Sequence, residues 1–158
     1  MIVPISALFE THLTVRDLDR SIAFYRDVVG LQLAHRVPAR GAAFLWIGAP
    51  GRAMLGLWSI GTSPMQMRLH TAFTVTLADV IASVDALRRA GITPRAGGGG
   101  AEIDEPMVFG WMPAATVYFD DPDGHSLEFL AMLPEPARPE FGFLKLSEWR
   151  ARTAESFG

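Results

Sequence analysis

One pattern occurs twice in this chain, and few folds accommodate it: a strand that runs at once into a helix, followed by a pair of short strands. In LFETHLTVRDLDRSIAFYRDVVG, residues 8–30, Leu13 and Val15 alternate with Glu10, His12 and Thr14. Successive strand side chains point to opposite faces, so the first set predicts a packed surface and the second a polar one. Ile22, Tyr25 and Val29 then recur at helical spacing, and Gly30 stands where a left-handed C-cap belongs. LHTAFTVTLADVIASVDALRRAGI, residues 69–92, repeats the logic, with Val80, Val84 and Leu87 on one helix face and Gly91 as the stop. Setting Thr14-Val15 on Thr74-Val75 gives an offset of 60, which also places Asp19 on Asp79 at the helix starts and Glu10 on His70.

Each helix is followed by strand-like runs, AAFLWIG and AMLGLWSI in the first half, AATVYF and HSLEFLAML in the second, joined by the turns APGR and DPDG. Each half therefore reads β-α-β-β, an α+β chain. Residues 1–133 form a single domain of two modules, about 7–62 and 66–133, and 134–158 form a proline-rich tail with a short terminal helix. Ser147 is the expected N-cap of that helix. Between Ala96 and Pro106 lie four consecutive glycines, Gly97–Gly100, read as a mobile loop and candidate lid.

Charge and cysteine content limit the chemistry. A net charge of −3 leaves no basic footprint for nucleic acid or an anionic membrane, and no apolar run is long enough to cross a bilayer. The absence of cysteine removes disulfides, thiolate nucleophiles and Cys-type zinc sites, and it fits a reducing compartment. With an N-terminus lacking a basic signal-peptide region, a cytoplasmic protein is expected.

The remaining candidates for chemistry lie on strands. His70 shares a face with Ala72 and Thr74, and Glu128 with Ser126 and Leu130. If the modules curl into one half-open barrel, Glu10, His12, His70 and Glu128 converge on its interior. Imidazole and carboxylate donors suit borderline divalent metals, and two histidines with one carboxylate leave positions open for substrate. Against this, a lone strand histidine is more often a hydrogen-bonded structural residue, and a glutamate beside a turn is usually solvated. The shared facing of all four favours the ligand reading. Arg16, Arg20 and Arg26 are read as helix-surface charges, His35 and His125 as loop or turn residues, and Trp46, Trp58 and Trp111 as either core or pocket wall.

RDLDRSIAFYRDVVG and DPDGHSLEF, in this order, with HTAFTV between them, resemble the vicinal oxygen chelate superfamily, which includes glyoxalase I, fosfomycin-resistance enzymes, extradiol dioxygenases and bleomycin-binding proteins. The resemblance spans about residues 7 to 133. It implies paired βαβββ modules forming a half-open barrel-like mixed sheet with helices outside, often dimerised, and an extra strand at Gln32 to Val37. By the same resemblance His70 and Glu128 match metal ligands. The family's first histidine falls at Glu10, with His12 two residues on along the same face, so one of them is expected to be the third ligand and the other to stand beside the substrate. Glyoxalase I has a further glutamate where this chain has Gly56, which argues against lactoylglutathione lyase activity unless Glu10 or His12 substitutes. Likewise, the base position of fosfomycin hydrolases falls around Gly48 and Ala49, whereas Thr116 and Tyr118 match site residues of the thiol-transferring enzymes.

The expectation is a metal-dependent enzyme, glyoxalase-like lyase or dioxygenase, acting on a small substrate with vicinal oxygens. Fe, Mn, Ni or Zn would be held by His70, Glu128 and Glu10 or His12. The remaining one of that pair would be the base and Tyr118 a hydrogen-bond donor, with Trp46, Trp111, Met112 and Thr116 bounding the pocket of a homodimer. The alternative is a metal-free small-molecule binding protein like the bleomycin-resistance members.

Overall fold

The computed structural model describes residues 7–59, 68–97 and 100–155. The chain divides into two compact units: the first runs to Leu69 and takes in Asp121–His125, the second holds His70–Asp120 and continues from Ser126.

Unit 1 is β1 (Glu10–Val15), α1 (Leu18–Asp27), β2 (Gln32–Val37), β3 (Ala42–Ile47) and β4 (Ala53–Ser59), in sheet order β1-β4-β3-β2. β1 runs parallel to β4 and the other pairs are antiparallel. The sequence alternation holds, with Leu13 and Val15 buried beside Leu45, Leu55 and Leu57. Asp17 caps α1 by accepting the Arg20 N–H, Ile22 and Tyr25 are buried, and Gly30 at φ 84° lets the chain reverse into β2.

Unit 2 repeats the order with β5 (His70–Thr74), α2 (Leu77–Arg89), β6 (Met107–Phe109), β7 (Ala114–Asp120) and β8 (Ser126–Met132), then adds β9 (Phe143–Lys145) and α3 (Leu146–Glu155). Its sheet order is β5-β8-β7-β6-β9. Thr76 caps α2, whose Val80, Val84 and Leu87 are buried as the spacing requires. Each unit thus contains a βαβββ module of an α+β fold, and the strand expected at Gln32–Val37 is present.

Two expectations change. After the prolines, β9 pairs with β6, and Leu144, Leu146 and Trp149 are buried, so the last segment contributes to the core of unit 2. Ser147 lies inside the first turn of α3; its N–H and hydroxyl both donate to the Glu105 carboxylate, at 2.9 and 2.8 Å. A carboxylate offers two acceptors and a negative charge to the helix N-terminus, which suits that end better than one hydroxyl. Beside the glycine run, Ala96 N–H donates to the Ala101 carbonyl (2.9 Å) and Ile103 N–H to the Pro94 carbonyl (3.1 Å), which ties the described flanks together. Gly98 and Gly99, at the centre of the expected lid, lie outside the described residues. Among the described residues no helix is long and apolar enough to cross a membrane.

Candidate functional site

In unit 2 the parallel pairing of β5 with β8 sets His70 beside Ser126 and Ala72 beside Glu128, so His70 and Glu128 meet on one face. His70 Nδ1 lies 3.0 Å from the Ser126 carbonyl and Nε2 lies 3.2 Å from Glu128 Oε2. A carbonyl only accepts, so Nδ1 carries the proton there and a neutral ring turns its Nε2 lone pair toward a carboxylate. Two acceptors at that distance require a positive species, a proton or a cation. Glu128 reinforces the requirement: it is 3% exposed, and among the described residues no Lys or Arg pairs with it. The structure therefore corrects the solvated reading of this glutamate.

The rest of the cluster fixes the carboxylate. Thr116, fully buried on β7, donates its hydroxyl to Glu128 Oε1 in a short hydrogen bond. Tyr118 stacks on His70 with ring centroids 5.5 Å apart. Burial, then the Glu128 charge and the hydrogen bond to it, push the Tyr118 phenol well above its ordinary value, so it is a donor and not a base.

Unit 1 carries a second pair. His12 Nε2 lies 2.8 Å from Glu10 Oε1. The carboxylate accepts, so Nε2 donates, and a neutral ring keeps its lone pair on Nδ1. In the β1–β4 register His12 faces Gly56, and the imidazole fills the space a side chain there would take: a Cβ on Gly56 would collide with His12 Cδ2 and stand 2.9 Å from Nε2. Trp58 and Phe44 flank the ring, with centroids at 5.6 and 6.0 Å. Trp46, half-buried on β3, is opposite Met54, which is opposite Glu10, and so it shares this face.

The predicted residues thus stand as two His–carboxylate pairs, one per unit, and among the described residues no three His, Asp or Glu gather as a metal group. Trp111 is 65% exposed in the β6–β7 turn and is no core residue; Met112 sits half-buried beside it. His35 lies in β2 and not in a loop, whereas His125 is in a turn but only 2% exposed. Sequence reasoning missed a buried network in unit 1. Asp121 accepts the Tyr25 hydroxyl (2.9 Å), Asp123 accepts the Ser21 hydroxyl (3.1 Å), and His125 links the Thr14 carbonyl (2.6 Å) to the Leu69 N–H (3.1 Å). Its only signal was the pair of motifs, RDLDRSIAFY and DPDGH, that supply these residues.

Known proteins share this architecture. An uncharacterized Pseudomonas aeruginosa protein, PA2024, is 32% identical over 131 residues, covering 75% of this chain and 85% of its own. The crystal structure of integron cassette protein HFX_CASS4, from the mobile metagenome of a Halifax Harbour sewage outfall, aligns at TM-score 0.68 with 31% identity, covering 81% of this chain and all of the other. A lactoylglutathione lyase from Agrobacterium tumefaciens aligns at TM-score 0.64 with 27% identity over 82% of this chain and 96% of its own. The family model matches residues 7–129, and with the duplicated modules, the DPDGH turn and the His70–Glu128 pair in place, the chain belongs to the Glyoxalase/Bleomycin resistance protein/Dioxygenase superfamily.

Proposed function

We propose that this protein is a metal-dependent enzyme acting on a small substrate with two neighbouring oxygens, and that His70 and Glu128 are metal ligands. The observation that carries this reading is that His70, its Nδ1 engaged by the Ser126 carbonyl, sets its Nε2 3.2 Å from a buried carboxylate with which no Lys or Arg among the described residues pairs. A histidine whose other nitrogen is fixed by a backbone carbonyl is the usual arrangement of a metal-binding imidazole. A bound divalent ion, Fe, Mn, Ni or Zn, supplies Lewis-acid polarisation of substrate oxygen. Ser126 fixes the tautomer of His70, Thr116 holds the Glu128 rotamer, and Tyr118, kept protonated, donates a hydrogen bond to a substrate oxygen. The family resemblance assigns a further donor to Glu10 or His12. The other of the two is the general base, and the free Nδ1 of His12 suits either role. The absence of cysteine and the family's dimeric habit support a cytoplasmic homodimer.

Elemental mass spectrometry on protein purified without a metal-binding tag tests this. Wild type should carry stoichiometric metal and melt higher with it than after chelation. His70→Ala should lose the metal while keeping its circular dichroism, and Glu10→Gln and His12→Ala should separate the third donor from the base. Metal retained by His70→Ala refutes the ligand assignment. No metal, and no stabilisation by added Mn, Fe, Ni or Zn, leaves the metal-free binding protein as the better reading.

A further inference from the structure

Residues 134–158 follow the stretch that the family model matches, 7–129, and they hold an unsatisfied charge of their own. Glu135, half-buried just after β8, has its Oε2 enclosed with no hydrogen-bond partner. Arg150, Thr153 and Ala154 stand at i, i+3 and i+4 of α3, on one face of the helix, and with Glu135 they line a cavity of about 250 Å³ in unit 2. Arg150 is exposed, and among the described residues it forms no ion pair, with Glu135 or with any other acid. The Thr153 hydroxyl is already taken up by the Trp149 and Arg150 carbonyls, at 2.9 and 3.2 Å. The cavity therefore offers one carboxylate and one guanidinium, unpaired, with a threonine and an alanine as the rest of its lining.

Charge selects the ligand. A carboxylate oxygen shut from water without a partner is costly, and a donor that reaches it removes the cost. A lone ammonium on Glu135 would share the cavity with the Arg150 guanidinium, and a lone carboxylate on Arg150 would share it with Glu135. A ligand carrying both charges answers each with its opposite and adds no net charge. Size sets the other limit, since pockets for drug-sized ligands run to roughly 300–1,000 Å³.

We propose that this cavity is a second ligand site, sharing no residue with the His70–Glu128 pair, for a small zwitterion of the α-amino acid type, its ammonium on Glu135 and its carboxylate on Arg150. Titration of the isotope-labelled full chain with L-alanine, followed at the Thr153 and Ala154 amide resonances, tests this. L-Alanine should shift them saturably and bind about tenfold more tightly than ethylamine or propionate, each of which lacks one of the charges. Glu135→Gln and Arg150→Gln should each weaken L-alanine about tenfold while keeping the wild-type circular dichroism. Chelator should change nothing, because only an amino acid held by metal at His70 and Glu128 would leave with the metal. No saturable shift, equal binding of ethylamine, propionate or the bulkier L-tryptophan, unchanged affinity in both variants, or a need for metal overturns the inference. A melting temperature lowered by Arg150→Gln, with no binding of L-alanine to wild type, overturns it too and makes Arg150 and Glu135 a surface ion pair in solution.

Discussion

Unit 2 puts its histidine on the opening strand and its glutamate on the strand beside it; unit 1 puts both on the opening strand, with a glycine opposite the histidine. The offset of 60 makes His12 the counterpart of Ala72, and the register makes Gly56 the counterpart of Glu128. One unit pairs a small residue on the opening strand with a large one at the centre, and the other reverses them, so the space between those strands is filled either way. The chemistry differs. Glu128 is 3% exposed, whereas the His12 side chain is 47% exposed and its pair is solvated. Burial thus separates the two pairs: the carboxylate of unit 2 is shut away from water, and that of unit 1 stays in contact with it.

The hairpin turns differ as sharply. The β3–β4 turn is exposed, closed by Arg52 N–H on the Ala49 carbonyl, while its counterpart, Asp121–His125, belongs to unit 1 and has both its end residues buried. His125→Ala strands the Leu69 N–H and the Thr14 carbonyl, and should cost about 2–4 kcal/mol in urea denaturation. A loss no larger than that of Arg52→Ala would erase the contrast. Tyr25→Phe, which leaves Asp121 still accepting two backbone N–H groups, should cost about 1–2 kcal/mol at neutral pH. Burial foremost, then the Asp121 charge and hydrogen bond, raise the Tyr25 phenol. Its stabilisation is therefore whole below about pH 10 and is lost as pH rises above that, because only the unfolded chain releases the proton. Tyr25→Phe should accordingly show a flatter alkaline decline.

The volume exchange is open to the same kind of test. Gly56→Ala should displace the His12 ring for about 1 kcal/mol, since the colliding group can turn outward, and should cost less in a His12→Ala background. Additive losses would break the equivalence with Ala72 and Glu128. The smallest effect should come from the helix starts, where the units agree. Thr76→Ala should lose about 0.5–1 kcal/mol, and Asp17→Ala a matching amount.

What the sequence revealed was periodic or local. Leu13, Val15, Val80, Val84 and Leu87 announced their elements, and Gly30 and Gly91 their ends, because such signals need no distant partner. Strand facing put His70 and Glu128 on like faces, and the family resemblance made them a set; that β5 and β8 are neighbours came from the structure. The burial of Glu128 was not legible in the sequence, because it depends on β7 and Thr116 closing beside it. Nor was Glu105 as the cap of Ser147, or Tyr25 on Asp121: those partners lie 42 and 96 positions apart, and nothing in either segment names the other.

The tryptophans give the molecule its own emission probes. Trp111 stands 65% exposed next to Phe109, while Trp149 is wholly enclosed. Iodide should quench the first and spare the second. Trp58, with its ring 5.6 Å from His12, reports separately on unit 1, since a protonated imidazole beside an indole dims it. Quencher titrations of single-tryptophan variants would then show which unit a ligand reaches first, without a label.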